Sequence, residues 1–230
     1  MICGNYEFAG IAVEICSIYE QVHRLCRDYV SQKKPDFTVI VTQEMIDFES
    51  GEDGFDDAYL ETLAVYRAFC EYAISRNVVL LHGSAVAVDR EAYIFLAKSG
   101  TGKSTHTKFW REYLGARAVM INDDKPLLRF ENGDVYVYGS PWQGKHDLGS
   151  NVSFPLKAVC FLDRGENEIV PLPFLKAYPK LCRHVYYKND DAYLLKLFSL
   201  LDKMDKVSFY EMKCSPDIDA AKMAFEKMKG

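Results

Sequence analysis

The sequence predicts an α/β fold built on a mixed sheet with hairpins. Short apolar runs recur from Asn77 onward, among them "EAYIFLA", "RAVMI" and "KAVCFLD". A helix pattern, "TGKSTHTKFWREYL", lies between the first two. "ENGD", Glu131 to Asp134, carries the Asn-Gly signature of a tight hairpin, which sets the sheet apart from a purely parallel one. The 230 residues, 49% of them hydrophobic, suffice for one sizeable core and not for several full-sized domains.

Taken in order, "YEFAGIAVEIC" alternates loosely and suggests a first strand. "YEQVHRLCRDYV" sets Val22, Cys26 and Val30 at helical spacing, and "DFTVIVT" is a β-branched strand. "ESGEDGFDD" is an acidic turn and the internal boundary, followed by a helix over 58–75. Residues 1–76 thus form a small α+β layer, expected to pack on a core of 77–230 within one domain. "NVVLLHGSAVAV", "KPLLRF", "DVYVYG" and "NEIVPL" complete the strands ahead of "DAYLLKLFSLLDKM", whose Leu194, Leu195, Phe198 and Leu201 share a helix face. "KVSFYEM" is a late strand. "SPDIDAAKMAFEKM" is a closing helix with Ser215-Pro216 at its start.

The formal charge is -5, with no basic tail or stripe, which argues against nucleic acid. The seven cysteines are scattered and odd in number, so neither a disulfide framework nor a zinc site is expected. No basic segment with a signal-like apolar run opens the chain, and no stretch is apolar enough to cross a membrane. A soluble protein of a reducing, cytoplasmic compartment is expected. The oligomeric state stays open, a homo-oligomer included.

"LAKSGTGKSTH" carries the chemistry. It departs from G-x-x-x-x-G-K-S/T only in its first glycine, which is Ala97. An apolar strand feeds the loop. Gly100 and Gly102 allow dihedrals that a side chain would strain, so successive N–H groups can face one anion at a helix start. Lys103 can reach terminal phosphates and Ser104 can coordinate magnesium. Ser99, Thr101 and Thr105 complete the cradle. The competing readings are an ordinary glycine turn and a dinucleotide loop, for which no GxGxxG exists.

"RAVMINDD" ends an apolar strand with Asp123 and Asp124. One carboxylate can stay with the metal while the other takes a proton from a hydroxyl. We give the base role to Asp124 and the ligand role to Asp123. Neighbours on a strand diverge, so a shared site requires the strand to end near Asp123. The alternative is an acidic surface turn, with Lys125 in an exposed ion pair. In "GSPWQGKHDLGSN", Lys145 is the candidate to offset phosphoryl charge, His146 a weaker one, and Trp142 either closes over a ligand or packs. Arg164 is a phosphate contact or a solvated charge. His82, before Gly83, either faces the site or is a structural histidine.

In order, these motifs resemble the HPr kinase/phosphorylase family and its relatives in fold, the phosphoenolpyruvate carboxykinases, over roughly residues 79–171. Ser99–Ser104 resembles the shared phosphate loop, His82-Gly83 the His-Gly pair before it, and Asp123-Asp124 the aspartate pair. Ala97 departs from the family's usual glycine, and no clear equivalent of the glycine-rich signature after the aspartates is found. The resemblance implies a P-loop fold, ATP and Mg²⁺, and transfer of the γ-phosphoryl group to a hydroxyl on a protein, peptide or small molecule. A nucleotide-binding sensor or assembly module without transfer, and a simple NTPase, are the alternatives.

Overall fold

The computed structural model describes residues 1–51, 54–144 and 147–230. These residues form two compact units, Met1–Val78 and Val79–Gly230, in a mixed α/β architecture. No helix among them is long and apolar enough to cross a membrane.

In the first unit, β1 (Ile2–Phe8) and β2 (Ile11–Ser17) form an antiparallel hairpin, and β3 (Phe37–Ile40) lies parallel to β2. The sequence pattern suggested one strand here. The break is made by Ala9 and Gly10, both at positive φ (47° and 75°), and alanine gives little warning of that conformation. The longer helix expected over 19–30 is a short α1 (Gln21–Leu25) and a 3₁₀ turn. α2 (Gln43–Glu49), not anticipated, starts at Thr42, whose hydroxyl accepts from Met45 N. α3 (Asp57–Ala73) is capped by Asp56 and buries Phe69 against Phe8. Its buried Glu61 accepts from the amides of Ile18 and Tyr19, satisfying the backbone just beyond β2.

The antiparallel register sets Cys3 opposite Cys16, and the two form a disulfide. This corrects the expectation drawn from cysteine spacing. Residues 13 apart in sequence become neighbours once the chain folds back at Ala9-Gly10. Cysteine usage therefore gives no support to a reducing compartment.

From the boundary at Val78 the chain continues with β4 (Val78–Leu80), β5 (Ser84–Val88), β6 (Glu91–Leu96), α4 (Lys103–Leu114), β7 (Ala118–Asn122), β8 (Leu127–Glu131) and β9 (Asp134–Tyr138). It continues with β10 (Ser153–Arg164), β11 (Glu168–Pro171), α5 (Phe174–Leu181), α6 (Asp191–Leu201), β12 (Ser208–Cys214) and α7 (Ile218–Met228). The expected single run over 77–88 is two strands, parted at His82-Gly83. Among the described residues the sheet has nine strands in the order β4-β8-β9-β10-β6-β5-β7, with β12 on β10 and β11 on β12. The Asn132-Gly133 turn joins β8 to β9 with both φ angles positive, the conformation the motif demands.

β5 and β6 are buried on both faces, as their continuous apolar runs require. Tyr93, Phe95 and Ala97 turn to one side, where α4 and α7 pack and Trp110 meets Phe225 edge-on at 5.5 Å. Two details differ from the pattern reading. α6 buries Tyr193, Leu197, Leu200 and Leu201, leaving Leu195 and Phe198 exposed. α7 is capped by Asp217, which accepts from Ala220 N at 2.8 Å, one residue after Pro216. α5 was not expected, because Pro179 sits inside it.

Strand direction positions the site. β6 and β10 run parallel, and β5 is antiparallel to both β6 and β7. The ends of β6, β7 and β10 and the start of β5 therefore lie at one edge of the sheet. The loop after β6, the aspartates after β7, Arg164 and His82 all emerge there.

Candidate functional site at one end of the sheet

The chain leaves β6 at Leu96 and enters α4 at Lys103. Gly100 and Gly102 hold φ angles of 75° and 120°, and a Cβ on either would meet nothing within 4 Å. The loop thus bends through glycine-only geometry and leaves open space at its crest. No side chain caps α4, so the first-turn amides keep their capacity for an outside acceptor. Ser99 and Gly100 in the loop, and Ser104 and Thr105 in the first turn, are exposed, and Thr101 is half-buried.

Lys103 points back under the loop and donates to Ala97 O at 3.2 Å. Burial lowers its pKa, and the nearby Asp124 carboxylate partly offsets that effect. Thr107, one turn on, ties the helix start to β5 through a buried hydroxyl contact with Ser84 at 3.1 Å. At the loop crest, Arg164 Nη2 donates to Gly100 O at 2.7 Å.

His82 sits in an extended segment held from both sides. Leu81 N donates to Pro126 O (3.1 Å) and Gly83 N to Asp124 O (2.9 Å) on one flank. On the other, His82 N donates to His184 O (2.6 Å) and Tyr186 N to Leu80 O (3.0 Å). Gly83 is required by space, since a Cβ there would lie 2.6 Å from Leu96 Cδ2 and 3.1 Å from Phe95 O. With the backbone fixed, His82 Nε2 reaches Asp124 Oδ1 at 3.2 Å.

β7 ends at Asn122, as a shared aspartate site requires. Asn122 is fully buried. Its side-chain oxygen accepts from the amides of Asp124 (2.8 Å) and Lys125 (2.6 Å), and its NH₂ donates to Ser140 O and Trp142 O. That network turns the chain and separates the two carboxylates. Asp123 is buried and accepts from Gly144 N at 2.7 Å. Asp124 faces His82 and Lys125, whose Nζ lies 2.6 Å from Oδ2. Both side chains of the Asp124–Lys125 pair are only 26% exposed, so it is more buried than the surface pair expected. Burial would raise the Asp124 pKa, but the hydrogen bond from His82 and the Lys125 charge outweigh it and hold the carboxyl below its usual range.

Trp142 is buried, which favours packing for it. Lys145 and His146 lie outside the described residues. Among the described residues no hydrogen bond joins Asp123 to Lys103 or Ser104, and no cluster of three His, Cys, Asp or Glu is arranged to hold a metal ion. A cavity of about 600 Å³ opens beside the loop, lined by Ala97, Ser99, His82 and Asp163 and, from the turn after α5, Arg183 and His184. Residue type and spacing assign neither Arg183 nor His184 to a site, because the turn that presents them follows α5, whose internal Pro179 hides it in the sequence. His184 is held neutral by burial and by the positive surroundings of His82, Lys103 and Arg183, its pKa pushed down to about 4.

No family model matches the chain, and no curated protein matches it in sequence. Among solved structures, the Hpr(Ser) kinase/phosphatase from Coxiella burnetii is similar over 66% of this chain and 99% of that chain, at 10% identity and a TM-score of 0.38. That likeness is a distant one, in fold alone.

Proposed function

We propose that residues 79–230 form a P-loop phosphotransferase that binds ATP with Mg²⁺ and passes the γ-phosphoryl group to a hydroxyl. One observation carries the reading: the open glycine crest, the uncapped start of α4, buried Lys103 and the His82–Asp124 pair stand together at one sheet edge. The residues fit a triphosphate. The crest has room where side chains would be, first-turn amides await an acceptor, and Lys103 supplies a cation beneath them. Mg²⁺ would neutralise phosphate charge when bound, and Ser104 and Asp123 would be the residues to hold it.

Lys103 offsets charge on the terminal phosphate. Asp124, ionised throughout the working range, accepts the hydrogen bond of the acceptor hydroxyl and takes its proton as the new P–O bond forms. Its depressed pKa makes it a reluctant base, so its first service is orientation. His82 fixes the carboxylate's direction. Lys145 is proposed to offset charge from the second loop. The test compares Asp123→Asn with Asp124→Asn by titration of a non-hydrolysable ATP analogue at several Mg²⁺ concentrations, and by single-turnover transfer of labelled γ-phosphate. Asp123→Asn is expected to need more Mg²⁺, and Asp124→Asn to bind normally and transfer slowly. Rapid release of phosphate to water without any acceptor would identify a hydrolase instead.

A further inference from the structure

The phosphate loop has two hollows. Gly102 and Thr105 line one of about 520 Å³ beside α4. The other, of about 600 Å³, lies on the strand side. Lys103 reaches back to Ala97 O, and Ala97 lines this second hollow. Since the lysine of such a loop marks the terminal phosphates, the strand-side hollow is the one that faces the reacting phosphorus.

Its volume is in the range of sites for small molecules, roughly 300–1,000 Å³. The charges within it are distributed unevenly. Lys180 is engaged by Glu211. Lys213 stands in register between Asp163 on β10 and Glu168 on β11. Arg183 has no carboxylate partner among the described residues, and the same holds for Lys98, which belongs to the loop itself. The root of Arg183 is well placed: its amide donates to Lys180 O at 3.1 Å, and the next residue's carbonyl is bonded to His82 N. His184 beside it is neutral and adds hydrogen-bonding capacity without charge. Phe161 and Val170 supply apolar wall between these groups.

We propose that the acceptor is a small hydroxy acid, its carboxylate gripped by Arg183 and its hydroxyl turned toward Asp124 and the γ-phosphate. The planar guanidinium fork matches a carboxylate in two parallel hydrogen bonds. The hydroxyl half rests on the phosphotransferase reading; the carboxylate half rests on the cavity. In the transfer, the acceptor oxygen bonds to the γ-phosphorus as the bond from phosphorus to the bridging oxygen breaks. The electron pair leaves with ADP, and the hydroxyl proton passes to Asp124.

The test is saturation-transfer NMR on the full chain, with D-glycerate, lactate and β-hydroxybutyrate against their amides. Each is measured at millimolar concentration with and without a non-hydrolysable ATP analogue and Mg²⁺. The acids are expected to bind and the amides not. Arg183→Gln is expected to weaken acid binding about tenfold or more, with Arg183→Lys intermediate. Arg183 is exposed, so these variants should melt like the parent. Equal binding of amides, no effect of Arg183→Gln, or no binding of any acid would overturn the proposal. Binding of acids by a protein that fails to bind the nucleotide analogue would remove the phosphotransferase reading and leave the carboxylate site standing.

Discussion

His82 Nε2 lies 3.2 Å from Asp124 Oδ1, and a backbone bond from Gly83 N to Asp124 O ties the same two segments together. The side-chain contact is therefore imposed by strand pairing rather than by two mobile side chains meeting. His82→Gln keeps a hydrogen-bonding side chain and removes the cationic form. Turnover should fall about tenfold or more while the melting temperature hardly moves. A large melting shift with normal turnover would assign His82 to structure.

The same contact has a pH signature. Asp124 titrates below the ordinary carboxylate range in the folded chain, so its contribution to stability is full above that range. It is lost as pH falls through the depressed folded value. Asp124→Asn should therefore flatten the acid limb of the stability curve, as read by denaturant titrations at successive pH values. An unchanged limb would mean that His82 and Lys125 do not hold the carboxylate.

His106 provides a second and separable pH effect. Its Nε2 accepts from Trp110 Nε1 at 3.1 Å in the core, and burial pushes its pKa down to about 4. The unfolded chain binds the proton more readily, so stability is lost as pH falls from about 6.5 to about 4. The loss attributable to this residue is roughly 3 kcal/mol. His106→Gln retains an acceptor for Trp110 and should remove that part of the slope. The His184 pKa is lowered over the same window and adds to the slope.

Gly144 donates its amide to Asp123, and a Cβ there would lie 2.7 Å from Asp123 Oδ2. Gly144→Ala should displace the carboxylate. The Mg²⁺ needed for half-maximal nucleotide binding should rise severalfold, with little change in unfolding midpoint. Unchanged magnesium dependence would take Asp123 out of the ligand role.

Much of the second unit could be read from residues. Runs such as "AYIFLA" are apolar without alternation because both faces of β6 are covered, and Asn132-Gly133 has few conformations open to it. The loop glycines announced themselves for the same reason. Other features arise only in three dimensions. The Cys3–Cys16 bond depends on a turn at Ala9 that local propensity does not advertise. α5 carries an internal proline, and the buried face of α6 is chosen by what packs on it, so Leu195 is 73% exposed despite its helical spacing. Arg183 and His184 belong to the site only because residues 184–186 pair with 80–82. Aspartates adjacent in sequence face different partners because Asn122 turns the chain between them, a role its residue type alone does not reveal.

The most direct measurement is calorimetric titration of Mg-ATP into the parent chain and into Lys103→Met, which keeps the buried stem and removes the charge. Lys103 is the cation beneath the open glycine crest, so its loss should weaken binding about tenfold or more in a protein whose circular dichroism is unchanged. Equal affinity for the two proteins, or no measurable binding to the parent, would contradict the account.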